Sequence, residues 1–361
     1  MTELSTRPVS RLDLRCLHPG WFASVMGTAI TAVATFGNPG GIAELRGASV
    51  VLGLALAALA LGLGVVFTVL YTLRWVRYGR VVLDELRDPA IGGLHATFPA
   101  GLLVLGVLAA AVGPSVAPWG RVLAVVAVLA LVGGVLAVTI GVMFAYALFT
   151  REVPAPSVNG SWFIPPVSAI IVPSAVAPLV PVVDPTTART LLVLGYACWG
   201  IGLMLFLLVL GALHDRLVLQ PLPPAQVAPS QWIALGPVGV AILGSGALAR
   251  AGQPIFGASG AGVVLATQLL GTALWGFGLW WLAVAASLLF RYRRAGAVPF
   301  HLGWWGFTFP LGAFTVATLT LAKAWEVPLL TGIGVVLYLL LLVFWLTVAT
   351  RTLRMLRGRG A

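Results

Sequence analysis

Five polar side chains recur at the starts of alternate apolar stretches of this chain: His18, His95, Asn159, Gln231 and His301. Histidine changes its charge near neutral pH, so protonated histidines at the mouth of a path raise the local concentration of anions. Polar residues that hydrogen-bond the free backbone groups of helix ends would occupy the same positions. The pattern therefore predicts either a polar mouth or a set of helix-end residues, and both interpretations stay open.

Hydroxyl groups supply the other polar chemistry of these alternate stretches, and the candidates to line a path are Thr28, Thr97, Ser168, Thr308 and Thr315. The deep parts of the apolar stretches contain no Asp, Glu, Lys or Arg, although proton-coupled carriers usually hold such a charge there. The sequence also lacks a paired-carboxylate cluster, a metal-ligand spacing and a phosphate-binding glycine loop. We therefore predict no catalytic residue, no metal and no cofactor, and we do not expect an enzyme.

The elements that must position these residues are membrane-spanning helices. Hydrophobic residues make up 60% of the 361 residues and charged residues only 9%, which is typical of a polytopic membrane protein. A span needs about 20 apolar residues, and ten such stretches occur, at 21–37, 48–73, 94–112, 121–149, 161–183, 187–213, 231–249, 259–290, 301–325 and 329–350. The predicted architecture is all-α, with a cytoplasmic N-terminal segment (1–20), a ten-helix transmembrane domain (21–350) and a basic cytoplasmic tail (351–361).

Proline is distributed unevenly over these ten stretches. The even-numbered stretches contain none, whereas four of the five odd-numbered stretches contain at least one. A spanning helix tolerates proline where neighbouring helices or a water-filled cavity satisfy the freed backbone groups. The odd-numbered helices are therefore predicted to line a wet path and the even-numbered helices to face lipid. The predicted kinks lie at Pro99, Pro173, Pro237 and Pro310.

Membrane topology explains the net charge of +11. With both termini assigned to the cytoplasm, sixteen of the 21 Lys and Arg residues fall on the cytoplasmic side. The remaining five fall outside, at Arg46, Arg121, Arg189, Arg250 and Lys323. This asymmetry follows the positive-inside rule and favours a multi-pass protein of the plasma membrane over a nucleic-acid-binding protein. The first stretch also fits a cleaved signal peptide, but its loss would break the odd–even pattern, so we expect it to remain.

Two odd-numbered stretches share an internal repeat. Thr-Phe-Pro-Ala-Gly at 97–101 in the third recurs as Thr-Phe-Pro-Leu-Gly at 308–312 in the ninth. Because all odd-numbered helices run in the same direction, the chain is predicted to form five parallel hairpins. Parallel repeats are related by an axis along the membrane normal. We therefore expect a pseudo-five-fold ring whose odd-numbered helices line a central pore.

Four motifs occur in order along the chain. They are His-Pro-Gly-Trp-Phe at 18–22 with Met-Gly-Thr at 26–28, His-Ala-Thr-Phe-Pro-Ala-Gly at 95–101, Trp-Phe-Ile-Pro-Pro at 162–166 and Trp-Trp-Gly-Phe-Thr-Phe-Pro at 304–310. Together they resemble the tellurite-resistance/dicarboxylate transporter (TDT) family, which includes plant guard-cell slow anion channels, bacterial tellurite-resistance proteins and fungal malate and sulfite transporters. The resemblance implies a ten-helix ring, a homotrimer with one pore per protomer, and small anions as the transported solutes.

The resemblance also implies a gate. In the channel branch of that family a phenylalanine on the ninth helix blocks the pore, and by position in the motif it corresponds to Phe309. Phe98, its partner in the internal repeat, is the second candidate. The chain lacks the deep basic residues and the long cytoplasmic tails of the plant channels, so neither phosphorylation control nor the identity of the anion follows from the resemblance.

Three hypotheses for function remain open at this point. The first is an anion channel, or channel-like exporter, with an aromatic plug at Phe309. The second is a carrier for C4-dicarboxylates or sulfite, coupled to protons through His95 or His301. The third is a membrane scaffold without transport. Chloride, nitrate, sulfite, tellurite and C4-dicarboxylates are all candidate solutes, and the expected partners are these small inorganic anions or carboxylates and membrane lipid, without nucleic acid.

Overall fold

The computed structural model describes residues 14–296 and 298–358, and within those ranges the chain is helical without a β-strand. The predicted all-α class is therefore confirmed. The described ranges contain ten α-helices: α1 (Phe22–Phe36), α2 (Arg46–Leu86), α3 (Thr97–Val112), α4 (Trp119–Phe149), α5 (Ile164–Val176), α6 (Pro185–Leu219), α7 (Leu235–Phe256), α8 (Gly260–Ala295), α9 (Thr308–Trp325) and α10 (Pro328–Leu356). Residues 1–13 of the predicted N-terminal segment and 359–361 of the predicted tail lie outside the described residues.

Consecutive helices pack as pairs, α1 with α2, α3 with α4, α5 with α6, α7 with α8 and α9 with α10. Local sequence explains the short connections between them. Asn38 and Glu326 adopt left-handed backbone angles (φ 51° and 54°) in the turns after α1 and α9. Asp184 begins α6 by accepting hydrogen bonds from the backbone N–H groups of Thr186 and Thr187, a standard N-terminal cap. Each pair therefore forms a helical hairpin.

The odd-numbered helices also contact one another in cyclic order. α1 packs on α3, α3 on α5, α5 on α7, α7 on α9, and α9 on α1. A 3-10 helix precedes each of them, at Pro19–Trp21, Gly92–Ala96, Gly160–Phe163, Ala225–Ala234 and Leu302–Phe307. These five 3-10 helices contact one another in the same cyclic order, so the five odd-numbered α-helices start at the same end of the bundle. We call this end the 3-10 end.

Burial separates the helices into two layers. The odd-numbered helices are mostly buried: 89% of the apolar span that contains α5 is inside the protein, against 17% for the span of α10. The exposed surface of the even-numbered helices is rich in Leu, Val and Phe side chains. Nine helical stretches of the described chain are long and apolar enough to cross a membrane, and the stretch Ala225–Ala295 holds both α7 and α8. The chain is therefore a bundle with a buried inner layer and an apolar outer surface.

The prolines occupy different positions from those predicted. Pro99, Pro237 and Pro310 each stand third in their α-helix, directly after a 3-10 helix, and only Pro173 lies in a helix interior. The first three therefore stand where a 3-10 helix passes into an α-helix, and a kink at these positions stays a prediction. The backbone N–H groups in the first turn of an α-helix donate no hydrogen bond within that helix. Proline, which lacks an N–H group, therefore fits there without breaking the helix. These prolines accompany the change from 3-10 to α-helical geometry at the start of the inner helices.

Candidate functional site

A small cavity of about 40 Å³ lies near the 3-10 end of the inner layer. All five odd-numbered segments contribute to its lining, which consists of Ala23, Met26, Thr97, Ile164, Val167, Ile233, Gly236, Trp305, Gly306, Phe309 and Pro310. Five separate segments can line one cavity when their helices surround a common axis. We call it the Phe309 cavity, and it is almost entirely apolar.

The inner helices stay accessible along one face beyond this cavity. A helical face repeats at intervals of 7, 11 and 14 residues. Counting outward from the cavity residues at these intervals reaches both buried positions and, farther from the 3-10 end, positions that are partly or fully exposed. These exposed positions are Val33 in α1 and Gly37 directly after it, Ala111 in α3, Ser174 in α5 and Pro178 in the 3-10 helix that follows it, Leu243, Ala247 and Arg250 in α7, and Val316, Thr320 and Lys323 in α9. The face that lines the cavity therefore opens toward the other end of the bundle.

A larger cavity of about 570 Å³ occupies that other end. It is bordered by the ends of α1 and α9, by Ala111 of α3, by Arg46 of α2 and by Thr331 of α10. We call it the vestibule. Between the two cavities the same faces carry tightly buried apolar residues, among them Ile30, Val104 and Val240. The axis is thus wide at the vestibule and constricted from there to Phe309.

The two candidate gate residues have different surroundings. The Phe309 side chain is 5% exposed and belongs to the cavity lining. Phe98 is absent from that lining, and its ring packs against Phe22 and Tyr71 with centroid separations of 4.9 and 5.1 Å. Tyr71 belongs to the outer helix α2. The geometry therefore places Phe98 between the inner and outer layers and Phe309 at the cavity that the five inner segments share.

Most of the predicted pore-lining hydroxyls face elsewhere. Thr97 lines the Phe309 cavity. Thr28 accepts a hydrogen bond from the indole N–H of Trp345 in α10, so it points at the outer layer. Ser168, Thr308 and Thr315 are completely buried and donate to backbone carbonyls of the preceding turn. None of these last four lines the Phe309 cavity or the vestibule, since their hydroxyls serve helix packing and internal hydrogen bonding, and their role in a path stays a prediction.

The polar residues at the starts of the odd-numbered segments divide into two groups. His18, Asn159 and His301 each accept a hydrogen bond from the backbone N–H two residues later and so cap a 3-10 helix. His301 also bonds the carbonyl of Gln226 through its second ring nitrogen. At these three positions the structure matches the helix-end interpretation, and none of the three belongs to the cavity lining.

Gln231 and His95 form the second group, because their side chains are buried. Both polar atoms of the Gln231 side chain lack a hydrogen-bond partner within the described part of the protein. His95 is fully buried, and its Nδ1 hydrogen-bonds the hydroxyl of Tyr71. Neither residue belongs to the lining of the Phe309 cavity. None of the five predicted mouth residues therefore lines the Phe309 cavity, and their role at a cytoplasmic mouth stays a prediction.

A buried charge network at the 3-10 end was not foreseen. Arg74 is 1% exposed and lies 2.6 Å from the Glu85 carboxylate, whose second oxygen is 3.5 Å from His95 Nε2. Arg74 also donates to the carbonyl oxygen of Arg15. The network is possible because α2 departs from helical angles at Tyr78 (φ −131°, ψ 33°), between the two paired charges. It ties α2 to the segments that precede α1 and α3.

Substitution of Arg74 by methionine is expected to lower the free energy of unfolding in detergent by about 2 kcal/mol. Removing one partner of a fully buried pair costs about 3–5 kcal/mol, and the smaller value follows because Glu85 is 27% exposed. The matched control is Arg87→Met, which removes an exposed pair of 3.7 Å and should change stability by less than about 1 kcal/mol. Equal effects of the two substitutions in thermal unfolding would contradict the structural role of the network.

Sequence reasoning missed the apolar residues that line the Phe309 cavity, such as Met26, Val167 and Trp305. The predicted lining consisted of polar residues, whereas the observed lining is apolar. Its members are residue types that are common in any hydrophobic core. The useful signal was the Trp-Trp-Gly-Phe-Thr-Phe-Pro motif at 304–310, which contains four of the lining residues: Trp305, Gly306, Phe309 and Pro310.

Comparison with known proteins agrees with the motif resemblance. The family model SLAC1, described as voltage-dependent anion channel, matches residues 16–353. An uncharacterized transporter of Methanocaldococcus jannaschii is 28% identical over 350 residues, covering 95% of this chain and 94% of that protein. A sulfite efflux pump of Trichophyton rubrum is 27% identical over 345 residues, covering 93% of this chain and 89% of that protein.

These similarities extend over nearly the entire chain, including every helix that contributes to the Phe309 cavity and the vestibule. Together with the apolar outer helices they identify a multi-pass membrane protein of a transporter family. The chain belongs to the SLAC1 family of voltage-dependent anion channels, the group to which its TDT-like motifs pointed.

Proposed function

We propose that this protein passes small anions across the membrane along the axis of its five odd-numbered helices, with Phe309 as an aromatic plug. The observation that carries the proposal is the position of Phe309 in a cavity to which all five inner segments contribute. The accessible faces that continue to the vestibule support a path beyond it. In this proposal the five hairpins form a pseudo-five-fold ring, with the even-numbered helices in lipid.

Anions are the proposed solutes because of the family and the local charge. Among the described residues, no acidic side chain lines either the Phe309 cavity or the vestibule, whereas Arg46 and Lys323 line the vestibule. A cation would meet repulsion at the vestibule and no compensating carboxylate. Since several relatives carry the name sulfite efflux pump, sulfite heads the candidates, followed by nitrate, chloride, tellurite and C4-dicarboxylates.

A channel-like mechanism is favoured over a proton-coupled carrier. The groups proposed for proton coupling were His95 and His301. Neither lines the Phe309 cavity, and each has a hydrogen-bond partner away from it. A carrier that moves sulfite remains the second candidate, because the efflux-pump relatives favour it.

The membrane orientation and assembly are part of the same proposal. The 3-10 end carries the basic connections between hairpins, and the positive-inside rule assigns it to the cytoplasm together with both termini. The vestibule then opens to the exterior of a plasma membrane. We retain the homotrimer, with one path per protomer, as the assembly that the family resemblance implies.

Purified protein reconstituted in liposomes tests the function. We expect anion flux that grows linearly with concentration over the millimolar range and does not change when a pH gradient is imposed. Reversal potentials with nitrate, chloride, sulfite and malate in turn would rank selectivity. Flux that saturates and follows the pH gradient would overturn the channel in favour of the carrier. Absence of flux for all of these anions, in both the wild-type protein and Phe309→Ala, would overturn transport.

A further inference from the structure

The vestibule combines two cationic side chains with neutral polar residues. Arg46 and Lys323 belong to its lining, together with Asn38, Thr320 and Thr331. No Asp or Glu of the described chain belongs to the lining. Within the same residues, neither Arg46 nor Lys323 forms an ion pair. The cavity lining therefore carries two cationic side chains and, among the described residues, no acidic one.

One cationic side chain of the vestibule, Lys323, lies on a helix face that also lines the Phe309 cavity. Val316, Thr320 and Lys323 follow Phe309 at intervals of 7, 11 and 14 residues, so they share one face of α9. On α7, Arg250 follows the cavity residue Gly236 by 14 residues and is exposed. A third cation thus lies on the face of α7 that is turned toward the axis.

We infer that the vestibule is an anion-binding site that collects small oxyanions at the outer mouth of the path. This inference rests on the proposed function, because it concerns the anions that the path carries. A guanidinium offers paired donors in the geometry that an oxyanion accepts, while an ammonium adds a point charge. The volume of about 570 Å³ leaves room for a hydrated anion rather than a fully stripped one.

Ionic strength gives the inference a specific signature. Fixed charges act over about 30 Å at 0.01 M salt but only about 3 Å at 1 M. Neutralising the vestibule should therefore slow anion flux at low ionic strength and have little effect at high ionic strength. Structural damage to the path would instead slow anion flux at both low and high ionic strength.

The experiment uses nitrate flux into liposomes and starts from a Phe309→Ala background, so that the constriction does not limit the rate. Adding Arg46→Gln and Lys323→Gln should lower nitrate flux about threefold or more at 0.01 M salt and leave it nearly unchanged at 1 M. The matched control adds Arg121→Gln and Arg189→Gln, which remove two exposed charges near the starts of α4 and α6, away from the vestibule lining. This control should retain the flux of the background at both salt concentrations.

The outcomes separate the two proposals. Absence of nitrate flux in Phe309→Ala itself, with folded protein in the liposomes, contradicts the proposed function. Flux in Phe309→Ala that is insensitive to the vestibule substitutions at 0.01 M salt overturns the vestibule alone. An equal loss in the Arg121/Arg189 control also overturns it, because overall surface charge would then explain the effect.

Discussion

Replacement of Phe309 by alanine is expected to increase anion flux through the reconstituted protein by about tenfold or more, since hydrophobic constrictions gate pores by excluding water. The side chain is 5% exposed and occupies a cavity shared by all five inner segments. Alanine removes the ring and joins this cavity of about 40 Å³ to the space that the ring occupied. The measurement is nitrate or chloride flux per reconstituted protomer.

Phe314→Ala is the matched control for this prediction, because it removes the same ring from the same helix on another face. Phe314 is fully buried, and a Cβ built on Gly278 of α8 would lie 2.3 Å from its ring. Phe314 therefore packs between α9 and the outer layer. We expect Phe314→Ala to lower thermal stability without raising flux. If Phe309→Ala leaves flux at the wild-type level, the plug is refuted.

The second large effect is expected at Gly239, where α7 and α9 meet backbone to backbone. A Cβ at this position would lie 2.5 Å from the carbonyl carbon of Ala313 and 2.6 Å from the amide nitrogen of Phe314. Backbone atoms cannot move aside as a flexible side chain can. Gly239→Val should therefore separate two helices of the inner cycle, at a cost of about 3 kcal/mol or more, and little monodisperse protein should be recovered from detergent.

Gly276→Val provides the comparison for Gly239→Val. Gly276 lies in α8, is exposed, and has no neighbouring heavy atom within 4 Å of the position that a Cβ would occupy. The same substitution there adds an apolar side chain to the outer surface, and we expect normal yield and an unchanged midpoint of thermal unfolding. A Gly239→Val protein that is recovered and unfolds like the wild type would show that α7 and α9 do not pack as described.

The proposed apolar constriction is compatible with the absence of Asp, Glu, Lys and Arg from the deep parts of the apolar stretches. A buried charge within a membrane is costly and holds an anion strongly, whereas conduction requires binding weak enough for release. The hydroxyls that could have bound an anion, such as Ser168 and Thr315, are already hydrogen-bonded within their own helices. In the proposed path, attraction is supplied at the vestibule and the barrier at Phe309.

The sequence predicted the helices better than it predicted the site. Apolar length and proline placement located all ten α-helices of the described residues, because a span must be continuous in apolar residues and avoid proline in its interior. Side-chain direction was less predictable. Thr28 and Thr97 both belong to inner helices, but Thr28 bonds Trp345 of α10 while Thr97 lines the cavity. Which face of a helix points inward depends on its neighbours.

For ionisable residues too, the sequence predicted their location along the chain but not their contacts. The charge count treated Arg74 as one of sixteen cytoplasmic cations, yet its side chain is 1% exposed and paired with Glu85. The two residues are 11 positions apart, and only the departure from helical geometry at Tyr78 brings them together. Gly79 directly follows Tyr78 and is a residue type that allows a helix to bend, but the sequence does not indicate which charges the break brings together.

By itself the sequence determined the all-α class, the number of apolar helices and the family, because hydrophobic length and ordered motifs are properties of the linear chain. Tertiary structure decided that Phe309 rather than Phe98 meets the shared cavity, that Pro99, Pro237 and Pro310 stand at the starts of their α-helices, and that Arg46 and Lys323 share the vestibule. These facts depend on which helices are neighbours and on how each is rotated about its axis. Packing between residues far apart in the chain fixes both.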